Sequence, residues 1–431
     1  MTALARLLVR VFFRSIEIQD GENLPGSCPV VLVANHTNGL VDGLLLMATL
    51  GRYPRFLGKS TLFKIPPLWP FLKLAGVIPV YRTMDAEAGD HNVSAFATSH
   101  ALLRAGGMVA VFPEGISHDE LALQPLKTGA ARIALEAARD GGAGDVATVA
   151  VGLVYDAKAR FRSRALVRVG APEGVDAWVE DYRRDERGTV RALTEQLAGQ
   201  IARVSPSFSS WTQANQFSWI AEVFVRAPGR NVAAEVRLAE KVEVAARLAQ
   251  KEEASPRSLR QLRLDFATYE RDLNLLGVND AQLVADSNRR RVRLSVLWSA
   301  LKVLLALPFA AVGALVHLIP FQLVKQVAKR PTNEGMKATV KLLGCFVLFV
   351  LTYAALGALA GRAVGAWAGF VVAVAAPLCG YVAVRLIERV KRIGGVVEGY
   401  RALRLRHDVL ATALTHRAAV VQDVHTVLRQ P

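Results

Sequence analysis

Short apolar runs and helix-period stretches alternate along the chain from residue 21 to about residue 185. Val30–Ala34, Arg55–Gly58, Val77–Val80, Met108–Phe112, Ala147–Leu153 and Arg164–Val169 have the length and apolar, often β-branched content of buried strands. Between them, Gly43–Leu50, Ala95–Arg104 and Gly129–Arg139 repeat their apolar positions at helical spacing. Such alternation predicts an α/β domain over residues 21–185. From about 186 to 295 strand signals fade and the chain turns charged and helix-prone. "AAEVRLAEKVEVAARLAQKEEA" is an example, with many possible i,i+4 charge pairs on a solvated face.

The pattern then changes again. Val303–Phe321 is apolar apart from prolines, Gly313 and His317, Leu342–Ala360 is an uncharged run of the same nineteen-residue length, and Ala363–Leu386 continues for twenty-four with Arg385 its one charge. Each approaches the ~20 residues that cross a hydrocarbon core. Basic residues flank the last two runs: Lys325, Lys329, Arg330, Lys337 and Lys341 before, Arg389, Lys391 and Arg392 after. By the positive-inside rule this predicts a membrane hairpin over 342–360 and 363–386, turning at Gly361-Arg362, with both ends cytoplasmic. "RRRVR" at Arg289–Arg293 is equally basic, so Val303–Phe321 is expected to re-enter without crossing, broken at Pro308 and Pro320. The membrane-embedded region spans 296–388, and residues 389–431 form a helical cytoplasmic tail.

At the other end, residues 1–20 place Arg6, Arg10 and Arg14 on one helical face, with Leu4, Leu7, Leu8, Val11 and Phe12 on another. A signal-peptide core is not interrupted at that rhythm, so an interfacial amphipathic helix is the expectation. Its alternative is a helix packed on the domain.

Composition narrows the partners. Hydrophobic residues make up 52% of the 431, and the formal net charge is +16. That charge suits an anionic partner such as a phosphorylated substrate or anionic lipid. Nucleic acid is the weaker match, because there are no zinc-ligand spacings and no basic stretch interleaved with aromatics. Three cysteines, Cys28, Cys345 and Cys379, exclude a disulfide framework.

Candidate chemistry gathers where buried strands stop. "VVLVANHTNGLVDG" leaves the strand Val30–Ala34 through a polar turn, and Asp42 follows His36 by six residues. Ligands bind at the carboxyl ends of strands in α/β sheets. A carboxylate on one imidazole nitrogen fixes the tautomer and leaves the other free as a general base. With no protein nucleophile beside it, the attacking group would be a substrate hydroxyl. "MVAVFPEGISHDE" repeats the strand-to-turn pattern, but Ser117-His118-Asp119 lacks the second glycine of a nucleophile elbow. "GVIPVYR" sets Arg82 just past a strand, suited to bidentate phosphate recognition. "GKST" at Gly58–Thr61 is not a phosphate-binding P-loop, since Tyr53 stands where its first glycine is required. Lys59 still offers a charge at a strand end.

"NHTNGLVD", "GVIPVYR", "FPEGISHD" and "VAVGLVYDAKARFRSRALVRVGAP" resemble, in order and spacing, the four blocks of the glycerolipid acyltransferase family. The resemblance covers about residues 10–175. Five residues separate His36 from Asp42 where the commonest form has four. That departure, with "RFRSRALVRVGAP" and "TYERDLNLLGVNDAQL", is similar to the glycerol-3-phosphate/dihydroxyacetone-phosphate acyltransferase branch.

The resemblance implies an α/β acyltransferase domain, a mixed sheet with flanking helices, followed by a helical region and membrane-embedded α-helices. It implies transfer of a fatty acyl group from an acyl-CoA or acyl carrier protein thioester, without cofactor or metal, to the hydroxyl of glycerol-3-phosphate or dihydroxyacetone phosphate. His36 is the base and Asp42 its orienter, while Asn35, Asn38, Lys59, Arg82, Glu114, Gly115 and Ser117 form the substrate site. Repulsion from phosphate suits Glu114 better to ordering the loop or an acceptor hydroxyl. The expected setting is the cell membrane, with the catalytic domain facing the cytoplasm. Acylation of lysophosphatidate or another lysophospholipid is the nearest alternative, and a non-catalytic membrane scaffold is the alternative of a different class.

Overall fold

The computed structural model describes residues 1–429 except 66–67, 82–87, 141–144, 227–234, 285–288, 332 and 406. It divides into two compact units, the first formed by Met1–Ser207 and Ala328–Leu342, the second by Phe208–Val327 and Leu343–Pro431.

The first unit is built on an eight-stranded mixed sheet of β1 (Phe13–Gln19), β2 (Val30–Ala34), β3 (Arg55–Lys59), β4 (Ile78–Val80), β5 (Met108–Val111), β6 (Ala147–Tyr155), β7 (Ser163–Val169) and β8 (Glu173–Gly174). The order is β1-β7-β6-β2-β5-β3-β4, with β8 beside β6. Strands β6, β2, β5, β3 and β4 run parallel, and β7 and β8 pair antiparallel to β6. Helices α1 (Thr2–Phe12), α2 (Leu40–Thr49), α3 (Trp69–Leu74), α4 (Ala88–Arg104), α5 (Gly129–Arg139), α6 (Val179–Arg184) and α7 (Glu186–Val204) accompany the sheet.

β2 is central, paired with β5 on one side and β6 on the other, and all five of its residues are fully buried. This is why it reads as an unbroken apolar run and not as an alternation. The apolar face of α5, including Ile133, Ala134 and Leu135, packs with Val31, Val33, Val109 and Leu193 in one core. Because the five parallel strands share a direction, their carboxyl ends, and the loops that follow, lie along one edge. That edge carries the candidate chemistry.

The extent expected for the N-terminal helix is corrected. The helix ends at Phe12, and Phe13–Gln19 is not helical but the edge strand β1, parallel to β7. Ala5, Leu8, Val9 and Phe12 are buried in the unit, so one flank of α1 is a packing surface, while Leu7 and Val11 stay exposed beside Arg6 and Arg10.

The second unit is helical: α8 (Trp211–Val225), α9 (Leu238–Ala254), α10 (Arg260–Leu276), α11 (Asp280–Leu283), α12 (Arg289–Val327), α13 (Glu334–Val364, whose first turns belong to the first unit), α14 (Ala366–Leu405) and α15 (His407–Arg429). Residues of α8, α9, α10 and α15 share a core around Phe217, Leu248, Tyr269 and Val420. Its polar centre is Asp280, at the start of α11. One carboxylate oxygen accepts from Tyr269 Oη at 2.7 Å and from Arg417 Nε at 2.7 Å, and the other faces Arg226 Nε at 3.1 Å. Arg417 also donates to the carbonyls of Val223 and Arg226. Burial and then the Asp280 charge push the Tyr269 phenol far above its ordinary value, so it remains a donor. Tyr269 and Asp280 belong to "TYERDLNLLGVNDAQL", which therefore acts here as a structural signature.

Val296–Val327, Glu334–Val364 and Ala366–Arg401 are each long and apolar enough to cross a membrane, and few of the side chains in their apolar stretches are buried. The expected break of the first run does not occur: α12 passes through Pro308 and Pro320 without interruption. Apolar helices tolerate proline where neighbouring groups re-satisfy the freed carbonyls. The turn of the hairpin lies at Gly365, with φ +126°, and not at Gly361-Arg362. Gly361 stays helical and sits against Gly369 of α14.

Removing the Asp280 carboxylate takes the shared charge partner from two buried guanidinium groups, Arg417 and Arg226. Asp280→Ala is expected to destabilise the helical unit by about 3–5 kcal/mol, the cost of breaking a buried ion pair from one side. Thermal unfolding of the purified chain checks this. An unchanged midpoint would mean that water already screens the cluster.

Candidate active site

β2 delivers Asn35 and His36 to the carboxyl edge of the sheet. Asn35 is tied to the sheet. Its side chain continues the β2–β6 ladder, donating to Leu153 O at 3.0 Å and accepting from Leu153 N at 2.7 Å. The chain then turns through Gly39, whose φ of 57° and ψ of −133° favour glycine, and enters α2. Asp42 sits in the first turn of α2, where a carboxylate also meets the positive end of the helix.

Asp42 is fully buried and holds the site together. Oδ2 accepts from His36 Nδ1 at 2.9 Å and from Asn38 N at 2.7 Å, and Oδ1 accepts from Tyr155 Oη at 2.5 Å. An ionised carboxylate is acceptor-only, so Nδ1 of His36 must carry the proton. Nε2 then holds the lone pair, and among the described residues it has no partner. The imidazole stacks on Phe112 at a centroid distance of 4.2 Å and 18°, which fixes the ring plane. Its side chain is 18% exposed, open enough to meet a substrate.

Tyr155, at the end of β6, completes the chain Tyr155–Asp42–His36. Burial and then the Asp42 charge push its phenol well above the ordinary value, so it stays protonated and donating. Sequence reasoning missed it. The only signal is a tyrosine ending an otherwise apolar strand, 113 residues from its partner.

Glu114 ties two loops together. It is buried, with Oε1 accepting from His36 N at 2.7 Å and Oε2 from Gln124 N at 2.9 Å and from His118 Nε2. Both oxygens thus accept from protein donors, which fits ordering the loop. Ser117 Oγ accepts from Gly39 N at 3.0 Å, so it too braces the loop. Gly115 turns with φ +71° and packs against the Lys127 side chain. Asn38, fully buried, donates to Lys158 O at 3.2 Å.

Lys158, also unremarked in the sequence, joins the same loops. Its ammonium donates to Thr37 O at 3.0 Å and His118 O at 3.1 Å and pairs with Asp119 at 2.6 Å. Burial opposes ionisation of Asp119. Hydrogen bonds from Lys158 and from Glu334 N, with the charges of Lys158 and Lys337, outweigh it and hold the carboxyl below its usual value.

Lys59 ends β3 in register with Val80 of β4, on the edge that carries His36. Arg82 lies outside the described residues. The structure therefore brings together His36, Asp42, Asn38, Glu114 and Ser117, shows Asn35 bracing the backbone of β6, and places Lys59 at the end of β3 on the same edge.

The comparisons follow this geometry. Residues 15–154 match the family model described as "Acyltransferase". The chain is 26% identical over 266 residues to glycerol-3-phosphate O-acyltransferase 2 of Saccharomyces cerevisiae, a match covering 60% of this chain and 35% of that protein. It is 34% identical over 123 residues to a chloroplastic 1-acyl-sn-glycerol-3-phosphate acyltransferase of Brassica napus, covering 28% of this chain and 34% of that one. The matches span about a third of the length of these curated relatives. Among solved structures, the 1-acyl-sn-glycerophosphate acyltransferase PlsC from Thermotoga maritima aligns with a TM-score of 0.31 and 17% identity, over 46% of this chain and 79% of that one.

Tyr155→Phe keeps the ring and removes one of the three donors to Asp42. Turnover is expected to fall about tenfold, the scale of one lost hydrogen bond to a charged group, with substrate KM values little changed. His36→Ala is expected to cost the ~10²–10⁴-fold of a lost general base. Steady-state acyl transfer by folded protein checks both. The strand-end histidine and its buried carboxylate lie inside the stretch that matches the family model: residues 15–154 are a domain of the acyltransferase family.

Proposed function

We propose that the chain is a membrane-bound glycerolipid O-acyltransferase that acylates glycerol-3-phosphate or dihydroxyacetone phosphate. The observation that carries the reading is the His36–Asp42–Tyr155 chain at the sheet edge, with Nε2 unpartnered among the described residues and the Ser117 hydroxyl engaged by the loop at Gly39 N. A base without a protein nucleophile suits direct attack by a substrate hydroxyl. Nε2 takes the acceptor O–H proton as the oxygen attacks the thioester carbonyl. The C–O bond forms, the C–S bond breaks, and the departing thiolate of acyl-CoA or acyl carrier protein recovers the proton from Nε2. Nothing in this sequence of steps calls for a cofactor or metal. Lys59 and Arg82 are assigned to the acceptor's phosphate, as cations at or just beyond strand ends.

The acceptor rests on the yeast relative, whose match runs over 266 residues and so extends past the acyltransferase domain. A lysophosphatidate acceptor is the second reading, favoured by the higher identity to the Brassica protein within the shared domain. Competition between glycerol-3-phosphate and lysophosphatidate for limiting enzyme separates them. The proposal expects the higher kcat/KM for glycerol-3-phosphate, and clear preference for lysophosphatidate would overturn it while leaving the chemistry of His36 intact.

Three apolar helices support a membrane location, and the basic residues around Lys329 and Arg392 support a cytoplasmic active site. Single cysteines at Lys329 and Arg392, in a background lacking Cys28, Cys345 and Cys379, are expected to react with an impermeant thiol reagent only from the cytoplasmic face. Labelling of either from outside would contradict the orientation. A cysteine at Arg293 decides whether α12 crosses: cytoplasmic labelling keeps both of its ends on one face.

A further inference from the structure

The five-residue connection from His36 to Asp42 must satisfy backbone amides that precede and begin α2, where no intrahelical acceptor exists. Asp42 takes the amide of Asn38, and Ser117 takes that of Gly39. The amide of Leu40 donates to Thr339 Oγ1 at 3.3 Å, 299 residues further along the chain. Thr339 belongs to the short segment Ala328–Leu342, the link after α12 and the first turns of α13, which packs in the catalytic unit.

That segment is fitted to the loop at several points. Thr339 is buried and its hydroxyl donates to Gly335 O at 3.0 Å, which leaves the oxygen to accept from Leu40. Gly335 lies so close that a Cβ there would stand 2.9 Å from Thr37 O and 3.0 Å from Ser117 Oγ. Gly39 faces back, with a Cβ position 2.9 Å from Thr339 Oγ1. Asn333 accepts the amide of Met336 at the start of α13 and donates to Ser117 O at 3.2 Å, and Glu334 N donates to Asp119 at 3.0 Å.

We propose that the segment Asn333–Thr339 is a clamp that sets the position of the His36–Asp42 pair, with Thr339 and Gly335 as positioning residues for the transfer step. This rests on the reading of His36 as the base. The clamp touches backbone of the loop between base and orienter and leaves both side chains free for chemistry. Its loss therefore displaces Nε2 without removing a substrate contact, and it is read in kcat before KM.

The test uses the full-length protein and acyl transfer from acyl-CoA. Thr339→Val keeps the shape and removes the acceptor oxygen. Its kcat is expected to fall about ten- to a hundredfold, the cost of misplacing a catalytic group by a fraction of an ångström to an ångström, with both KM values within about twofold. Thr339→Ser restores the oxygen and is expected to restore most of the turnover. Gly335→Ala, which pushes on Thr37 and Ser117, is expected to reproduce the loss. A Thr339→Val enzyme with wild-type kcat, or a Thr339→Ser enzyme as impaired as Thr339→Val, overturns the clamp. A loss of kcat that appears only with a matching fall in thermal midpoint also overturns it, since that marks a merely structural role. Inactive wild-type protein would instead overturn the acyltransferase reading itself.

Discussion

A buried carboxylate needs donors, and the catalytic unit is arranged to supply them to Asp42. Three arrive: the imidazole of His36, the amide of Asn38 and the phenol of Tyr155. They come from the exit of β2, from the loop behind it and from the end of β6, so the central pairing of β2 with β6 is what lets them converge. Satisfying the carboxylate and orienting the base are the same act. Burying Asp42 with any donor missing would carry the penalty of an unmatched polar group in a low-dielectric site.

Around this centre a second layer holds the loops, not the substrate. Glu114, Ser117 and Lys158 bind backbone groups of the turns after β2 and β5, and Asp119 fixes Lys158 in turn. Several residues that look chemical in the sequence are thus spent on geometry. Such expenditure fits a mechanism that depends on where one nitrogen stands, because rate is sensitive to small displacements of a reacting group.

Parts of this were legible in the sequence for identifiable reasons. Val30–Ala34 reads as a strand because it is buried on both faces, and the polar turn after it marks the sheet edge, so His36 and Asp42 stand out together. Glu114, once the resemblance set it near a phosphate, was readable from its charge as an acid that orders the loop or an acceptor hydroxyl. Tyr155 was not, because its partner is distant in sequence and its strand is otherwise apolar. Thr339 was hidden in the flank of an apolar helix, where a threonine carries no signal. β1 was absorbed into the N-terminal helix because an edge strand with arginine and glutamate on it alternates only weakly. Gly361-Arg362 has the composition of a turn, but a glycine that packs against Gly369 keeps its helix, and the chain reverses at Gly365 instead.

The central claim is that Asp42 holds His36 in the tautomer with the proton on Nδ1, leaving Nε2 to receive the proton of the attacking hydroxyl. Nitrogen-15 NMR of histidine-labelled protein, with the His36 signals assigned by their loss in His36→Gln, reads that tautomer directly. The account predicts that neutral His36 is protonated at Nδ1, and that Asp42→Asn removes this preference. A neutral His36 protonated at Nε2 in the wild-type protein would contradict it.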